Sequence, residues 1–150
     1  MCCRVRSGRE GAAVLVIRAD LVEAMVAHAR RDHPDEACGV LAGPDGSDRP
    51  ERHIPMANAE RCPTLYRFDS SEQLTVWRAM EHAHEVPVVI YHSHPGSEAY
   101  PSRTDIALAA EPDAHYVLVS TRDPHWHELR SYRIVNGAVS EEPVDIVEQY

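Results

Sequence analysis

Residues Pro87-Val88-Val89-Ile90-Tyr91 form an unbroken apolar run that ends directly on His92-Ser93-His94-Pro95. A half-exposed strand would alternate apolar and polar side chains. A short continuous run rich in β-branched residues instead predicts a strand buried on both faces. Such a strand needs layers packed against its sheet, and polar residues at its end stand out as candidates for chemistry.

The rest of the chain supplies those layers. Val14 to Ile17 reads as a strand. Ala19 to Asp32 has helical period, with Leu21, Met25 and Ala29 on one face, Val22 and Val26 beside them, and Pro34 as the stop. Ala37 to Ala42 is a short apolar strand followed by the Gly43–Asp48 turn, and Arg52 to Met56 is an adjoining strand. Tyr66 and Phe68 alternate with Arg67 as in a further strand. A second helix starts at Ser70, where Ser70-x-x-Gln73 has the form of a capping box ahead of Leu74, Trp77 and Met80. A third helix spans Arg103 to Ala110. Tyr116 to Thr121 is a strand, and Asn136-Gly137 joins Leu129–Val135 to the strand from Ala138 as a tight hairpin. The expected fold class is α/β, a mixed sheet with flanking helices in one domain, residues 13–150. Residues 1–12 are expected to be a disordered extension.

A net charge of -9 repels phosphate backbones and anionic lipid, which sets nucleic acid and membrane aside as partners. The apolar run Ala12 to Ile17, behind Arg4, Arg6 and Arg9, is too short for a secretion signal or a membrane span. Cys2, Cys3, Cys38 and Cys62 show neither a disulfide framework nor a C-x-x-C pair, so a reducing, cytoplasmic setting is expected.

The chemistry centres on His92. If the strand end stays extended, His92 and His94 leave one face together and Ser93 points the other way. Two imidazoles on one face can bind one cation. Asp105, at the start of the third helix, can fold its carboxylate back as a third ligand. Two nitrogens and one oxygen leave a tetrahedral Zn2+, one per chain, with a fourth position for a water whose pKa falls to about 7. Glu36, at the entry to the Ala37–Ala42 strand, is the candidate base for that water's proton. Ser102 can donate a hydrogen bond to the oxygen that becomes negative in the tetrahedral intermediate.

Glu36, His92-Ser93-His94-Pro95, six intervening residues, then Ser102-x-x-Asp105 resemble the pattern of the JAMM (MPN-plus) metallopeptidases. The resemblance implies a cytidine-deaminase-like α/β fold, zinc on His92, His94 and Asp105, and Glu36 and Ser102 as catalytic residues. Asp32-His33-Pro34-Asp35-Glu36-Ala37-Cys38-Gly39 and Tyr100-Pro101-Ser102-Arg103-Thr104-Asp105 are similar to bacterial Mec-type hydrolases. That likeness implies a substrate in which cysteine is joined to the C-terminal glycine of a small ubiquitin-like sulfur-carrier protein, and a place in cysteine biosynthesis. The tail of such a carrier could bind by strand addition beside the zinc.

Plainer alternatives stand beside these. Ser102-x-x-Asp105 is also a helix capping box. Glu36 could be a solvated loop carboxylate. Cys38, in an apolar strand, reads as a small buried hydrophobe and not as a ligand. His82, His84, His125 and His127 read as surface residues. Another ubiquitin-like modifier or a peptide is the alternative substrate, and a catalytically silent scaffold is the alternative of another class. A nucleoside deaminase is disfavoured, because no Pro-Cys-x-x-Cys follows a His-x-Glu.

Overall fold

In the computed structural model the described residues are 14–150, so the expected extension at residues 1–12, with Cys2 and Cys3, lies outside them. The Pro87–Tyr91 run belongs to a ten-residue strand, β4 (Glu85–His94), whose second half is entirely buried. The elements before it are β1 (Leu15–Arg18), α1 (Ala19–Asp32), β2 (Cys38–Pro44), β3 (Arg52–Met56) and α2 (Ser70–His82). After it come α3 (Arg103–Leu108), β5 (His115–Ser120), β6 (Glu128–Val135), β7 (Ala138–Glu142) and β8 (Val144–Val147).

Six strands form one mixed sheet in the order β3-β2-β4-β5-β6-β7, and only the β4–β5 pair is parallel. That pair needs a crossover, which the loop after His94 and α3 provide. β1 and β8 make a separate parallel ribbon, with Leu15 opposite Val144. β4 sits inside the sheet, which is why its sequence carries no polar alternation.

The two faces of β4 serve different cores. Val89 and Tyr91 pack with Leu21, Met25 and Ala29 of α1 on one side. Ile90 faces the other side with Tyr116, Leu118 and Ile106. Beside it, Cys38, Val40 and Ala42 of β2 pack with Met80, Val76 and Trp77 of α2. Strand alternation therefore separates an α1 face from an α2/α3 face, and His92 and His94 share the α2/α3 face with Ile90.

Several expectations need correction. Tyr66 and Phe68 belong to no strand among the described residues; the segment makes a single bridge, Asn58 to Phe68. The cap of α2 is Asp69, whose carboxylate accepts the Glu72 amide at 2.9 Å, so Ser70 is the first helical residue and not the cap. Either side chain can cap; the aspartate stands one residue nearer the turn. Helix α3 ends at Leu108, two residues early, and Ala109 and Ala110 run into the loop before β5. Of Leu74, Trp77 and Met80, which share helical spacing, Leu74 is 52% exposed and Met80 is the one buried residue of α2.

Candidate metal centre

Three pieces of chain meet at the end of β4. Because β4 remains extended to its last residue, the imidazoles of His92 and His94 emerge on one face and Ser93 turns to the other. β2 runs antiparallel to β4 with Cys38 opposite His92. The ladder continues past the strand end: the Ser93 amide donates to the Ala37 carbonyl at 2.9 Å. Glu36 comes next, two residues from Cys38 and thus on the imidazole face. Asp105 arrives from the first turn of α3. Ser102 caps that helix, its Oγ accepting the Asp105 amide at 3.1 Å while Asp105 Oδ2 accepts the Ser102 amide at 2.8 Å. This reciprocal box aims the Asp105 carboxylate back at β4.

The four side chains His92, His94, Asp105 and Glu36 are all buried. Asp105 Oδ2 lies 3.1 Å from His92 Nε2 and 3.2 Å from His94 Nε2, and the two Nε2 atoms are 3.2 Å apart. These atoms form a nearly equilateral triangle. A tetrahedral cation with donors at about 2.0–2.1 Å needs about 3.3 Å between them, so opening the triangle by a tenth or two of an ångström accommodates one. Glu36 Oε1 is 3.7 Å from His94 Nε2, and Glu36 Oε2 is buried with no hydrogen-bond partner among the described residues.

Two acids thus compete to complete the histidine pair, since the ligand atoms of Glu36, His92 and His94 also lie within 4.8 Å of one another. Electrostatics separates them. Burial works to raise the Asp105 carboxyl, but hydrogen bonds from His92, His94 and the Ser102 amide outweigh it and hold the group well below the usual carboxylate range. Burial pushes Glu36 up to about 8, with Asp105 adding to the effect and His94 opposing it. Asp105 is the anion suited to ligate. Without a cation nearby, Glu36 is the more readily protonated of the two acids, which suits it to exchange a proton and not to ligate. Burial lowers His92. It also works against His94, where Asp105, the Glu98 carbonyl and Glu36 together raise the imidazole. A divalent cation in the triangle would draw all four groups toward their proton-free forms.

His94 Nδ1 donates to the Glu98 carbonyl at 2.8 Å, which leaves Nε2 free for the triangle. The loop that supplies this carbonyl is pinned: Ser120 Oγ donates to the Ser97 carbonyl at 2.6 Å, and Glu128 accepts the Ala99 amide at 2.6 Å. The hydroxyl of Ser102 is on an exposed residue, and the structure shows its capping role directly.

A cleft of about 170 Å³ opens next to the centre on the same face, lined by Tyr66, Phe68, Trp77, Ile90, Leu108 and Tyr116. Tyr66 belongs to both places, since its ring stacks on His92 with centroids 4.3 Å apart. Sequence patterning singled out Tyr66 only as a strand residue and did not find Asn58 or the Glu98 carbonyl. Cys38 is buried and its thiol is pushed up to about 12 by burial first, with nearby carboxylates adding to it, which leaves it an inert part of the α2 core. His82, His84, His125 and His127 are exposed.

Residues 18–135 match the family model described as prokaryotic homologs of the JAB domain. The chain is 85% identical over 137 residues to the CysO-cysteine peptidase of Mycobacterium tuberculosis, covering 91% of this chain and 94% of that protein. It is 35% identical over 111 residues to the desampylase of Haloferax volcanii, covering 71% of this chain and 80% of that protein. A solved structure from Desulfitobacterium hafniense matches with a TM-score of 0.79 at 35% identity, covering 91% of this chain and 94% of that one.

Proposed function

The chain belongs to the JAMM family of metallopeptidases, in its prokaryotic JAB-domain branch, and from that premise we propose that it uses zinc to hydrolyse the amide bond between the C-terminal glycine of a small ubiquitin-like sulfur-carrier protein and cysteine. The observation that carries the chemistry is the triangle of His92, His94 and Asp105 at 3.1–3.2 Å with the Glu36 carboxyl at its edge. The observation that carries the substrate is the 85% identity to a CysO-cysteine peptidase. The product, free cysteine, makes the reaction a step of cysteine biosynthesis in the cytoplasm. No helix of the described residues is long and apolar enough to cross a membrane.

His92, His94 and Asp105 hold the metal in this reading. Bound there, zinc supplies Lewis acidity toward water and the scissile carbonyl. Glu36 takes the proton released as the water oxygen bonds to the glycine carbonyl carbon, and delivers it to the cysteine nitrogen as the C–N bond breaks. One water is consumed; a carboxylate and an amine leave. The Ser102 oxygen already accepts the Asp105 amide, so its own hydrogen is free to donate to the carbonyl oxygen as charge develops there.

The cleft extends the reading to the carrier's tail. Ile90 lies two residues up the strand from His92, roughly 6–7 Å away at 3.3 Å per residue. We place the tail residues preceding the glycine in this cleft, because its wall at Tyr66 abuts His92 and the tail is the longer side of the bond.

The test is to incubate zinc-loaded protein with a carrier ending in Gly-Cys and to weigh the products. The expected result is a carrier shortened by one cysteine, with free cysteine released. An adduct left intact by loaded protein overturns the substrate assignment. The likeness to a desampylase supports a second reading, an isopeptidase acting on a modifier joined to lysine, and a carrier–lysine conjugate in the same assay separates the two.

A further inference from the structure

The two histidines of the centre are held in different ways. His94 has a hydrogen bond at its far nitrogen, Nδ1 to the Glu98 carbonyl. His92 Nδ1 is buried and has no hydrogen-bond partner among the described residues. A ligand imidazole without that outer bond is free to swing about its Cβ–Cγ axis unless something flat lies against it. Tyr66 lies there: the two rings are 4.3 Å apart and 23° from parallel. Behind Tyr66, Phe68 meets it edge-on at 5.8 Å and Trp77 of α2 meets Phe68 at 6.0 Å. An aromatic series thus runs from α2 to the imidazole.

One side chain holds the backbone on both sides of Tyr66, beside the main-chain bond from the Ala59 amide to the Arg67 carbonyl at 2.8 Å. Asn58 Nδ2 donates to the Leu65 carbonyl at 2.9 Å, and Asn58 Oδ1 accepts the Arg67 amide at 3.2 Å. The Asn58 amide therefore grips the peptide groups on both sides of Tyr66. Its remaining capacity is used as well: Nδ2 donates to the Glu36 carbonyl at 3.1 Å, and Oδ1 accepts the Glu60 amide at 3.0 Å. A primary amide has two N–H donors and two acceptor positions, and all four are engaged.

Resting on the zinc reading above, we propose that Tyr66, bracketed by Asn58, is the positioning residue for the His92 imidazole, doing by ring stacking what the Glu98 carbonyl does for His94. The same Asn58 side chain ties this ring to the backbone of the candidate base, so ligand and base are set by one device. The role belongs to the flat face of Tyr66 and not to its hydroxyl, for which no hydrogen bond is found among the described residues.

The test is zinc affinity, measured by competition with a chromophoric chelator on folded protein, with the melting temperature of each metal-free variant recorded beside it. Tyr66→Phe keeps the flat face and is expected to bind zinc within about twofold of the parent. Tyr66→Leu keeps apolar bulk without the face and is expected to weaken binding roughly 10–100-fold, the usual effect of losing a ligand's outer support. Asn58→Asp retains the shape and removes both N–H donors, so it is expected to weaken binding similarly. Adding it to Tyr66→Leu should cost little more, because both act through one ring. Tyr66→Leu binding zinc as tightly as the parent, with only a lower melting temperature, overturns the proposal and leaves the zinc reading intact. A parent protein that holds no zinc overturns both.

Discussion

Ser93 Oγ accepts the Ala37 amide at 2.8 Å, while the Ser93 amide donates to the Ala37 carbonyl at 2.9 Å. This double contact joins the strand that carries both histidines to the residue that follows Glu36. The serine between the histidines points away from them and still bears on the site, because its two bonds tie the residue beside Glu36 to the strand that carries His94.

Replacing Ser93 by alanine is expected to leave the buried Ala37 amide unpaired, at a cost of about 1–3 kcal/mol in stability. Zinc should remain, since no ligand is touched, while kcat falls as Glu36 loses its registration. Denaturant unfolding, metal content and steady-state kinetics on Ser93→Ala check these together. Unchanged kcat in a destabilised protein would show that the latch serves folding alone.

Ligand and base separate by metal content. Purified protein is expected to hold about one zinc per chain. His92→Ala and Asp105→Ala should each lose metal and activity together. Glu36→Gln should retain zinc and lose most turnover, because an amide cannot accept the proton. Elemental analysis alongside the activity assay decides. Zinc lost from Glu36→Gln would move Glu36 into the ligand set, as its distance to the histidine pair allows.

The buried Glu36 carboxyl also sets a pH dependence. Its value in the folded, metal-free protein is raised from 4.5 to about 8, first by burial. The native state then binds more protons than the unfolded state between those values, so this group's contribution is fully present below 4.5 and is lost as pH rises toward 8. Metal-free Glu36→Gln should gain stability relative to the parent as pH climbs from 5 to 8. Zinc should shrink the difference, because a cation favours the anionic carboxylate. Melting curves of both proteins across that range, with chelator and with zinc, provide the measurement. A difference that stays flat with pH in chelator would mean the carboxyl is not raised.

Parts of this arrangement were legible in the chain because they rest on short-range periodicity. His92 and His94 declare a shared face through their spacing of two at the end of a buried strand. Helix α1 declares its bounds through Leu21, Met25 and Ala29, with Pro34 beyond. Glu36 and Asp105 are different: a strand entry and a helix start made them candidates, but nothing local says that the two meet at β4, and the family pattern is what singled them out. The β1–β8 ribbon pairs Leu15 with Val144, a long-range contact that four-residue strands cannot announce. Tyr66 and Phe68 mimic a strand because both rings are needed on one side of the loop. Gly39, the second residue of β2, reads as a weak point. Its cause is long-range: a Cβ there would lie 2.5 Å from the Tyr91 hydroxyl oxygen.

That glycine supports a further prediction. The Tyr91 hydroxyl is shared by His28 Nδ1 at 2.6 Å and His53 Nε2 at 2.7 Å, on the face of β4 opposite His92 and His94. Gly39→Ala should push the ring off this pair and cost about 1–3 kcal/mol as overpacking, with zinc content unchanged. Equilibrium unfolding checks the stability; a neutral substitution would mean that the ring shifts freely.

Ser102 has two roles to separate, and the structure makes the first one concrete. Its Oγ accepts the Asp105 amide at 3.1 Å, so Ser102→Ala loses a helix cap and about 1 kcal/mol with it. The backbone amide of residue 102 still donates to Asp105 Oδ2, which keeps the ligand aimed and the zinc bound. If the hydroxyl hydrogen also stabilises the developing oxyanion, kcat and kcat/KM should fall together by about 10²–10³ with KM little changed, since the interaction strengthens only in the transition state. Ser102→Thr keeps the hydroxyl and should recover much of both losses. Asp is a good cap without a hydrogen to donate at neutral pH, so Ser102→Asp should restore stability and not turnover. A Ser102→Ala enzyme that melts earlier yet turns over normally would confine this serine to capping α3, and oxyanion stabilisation would then fall to the metal alone.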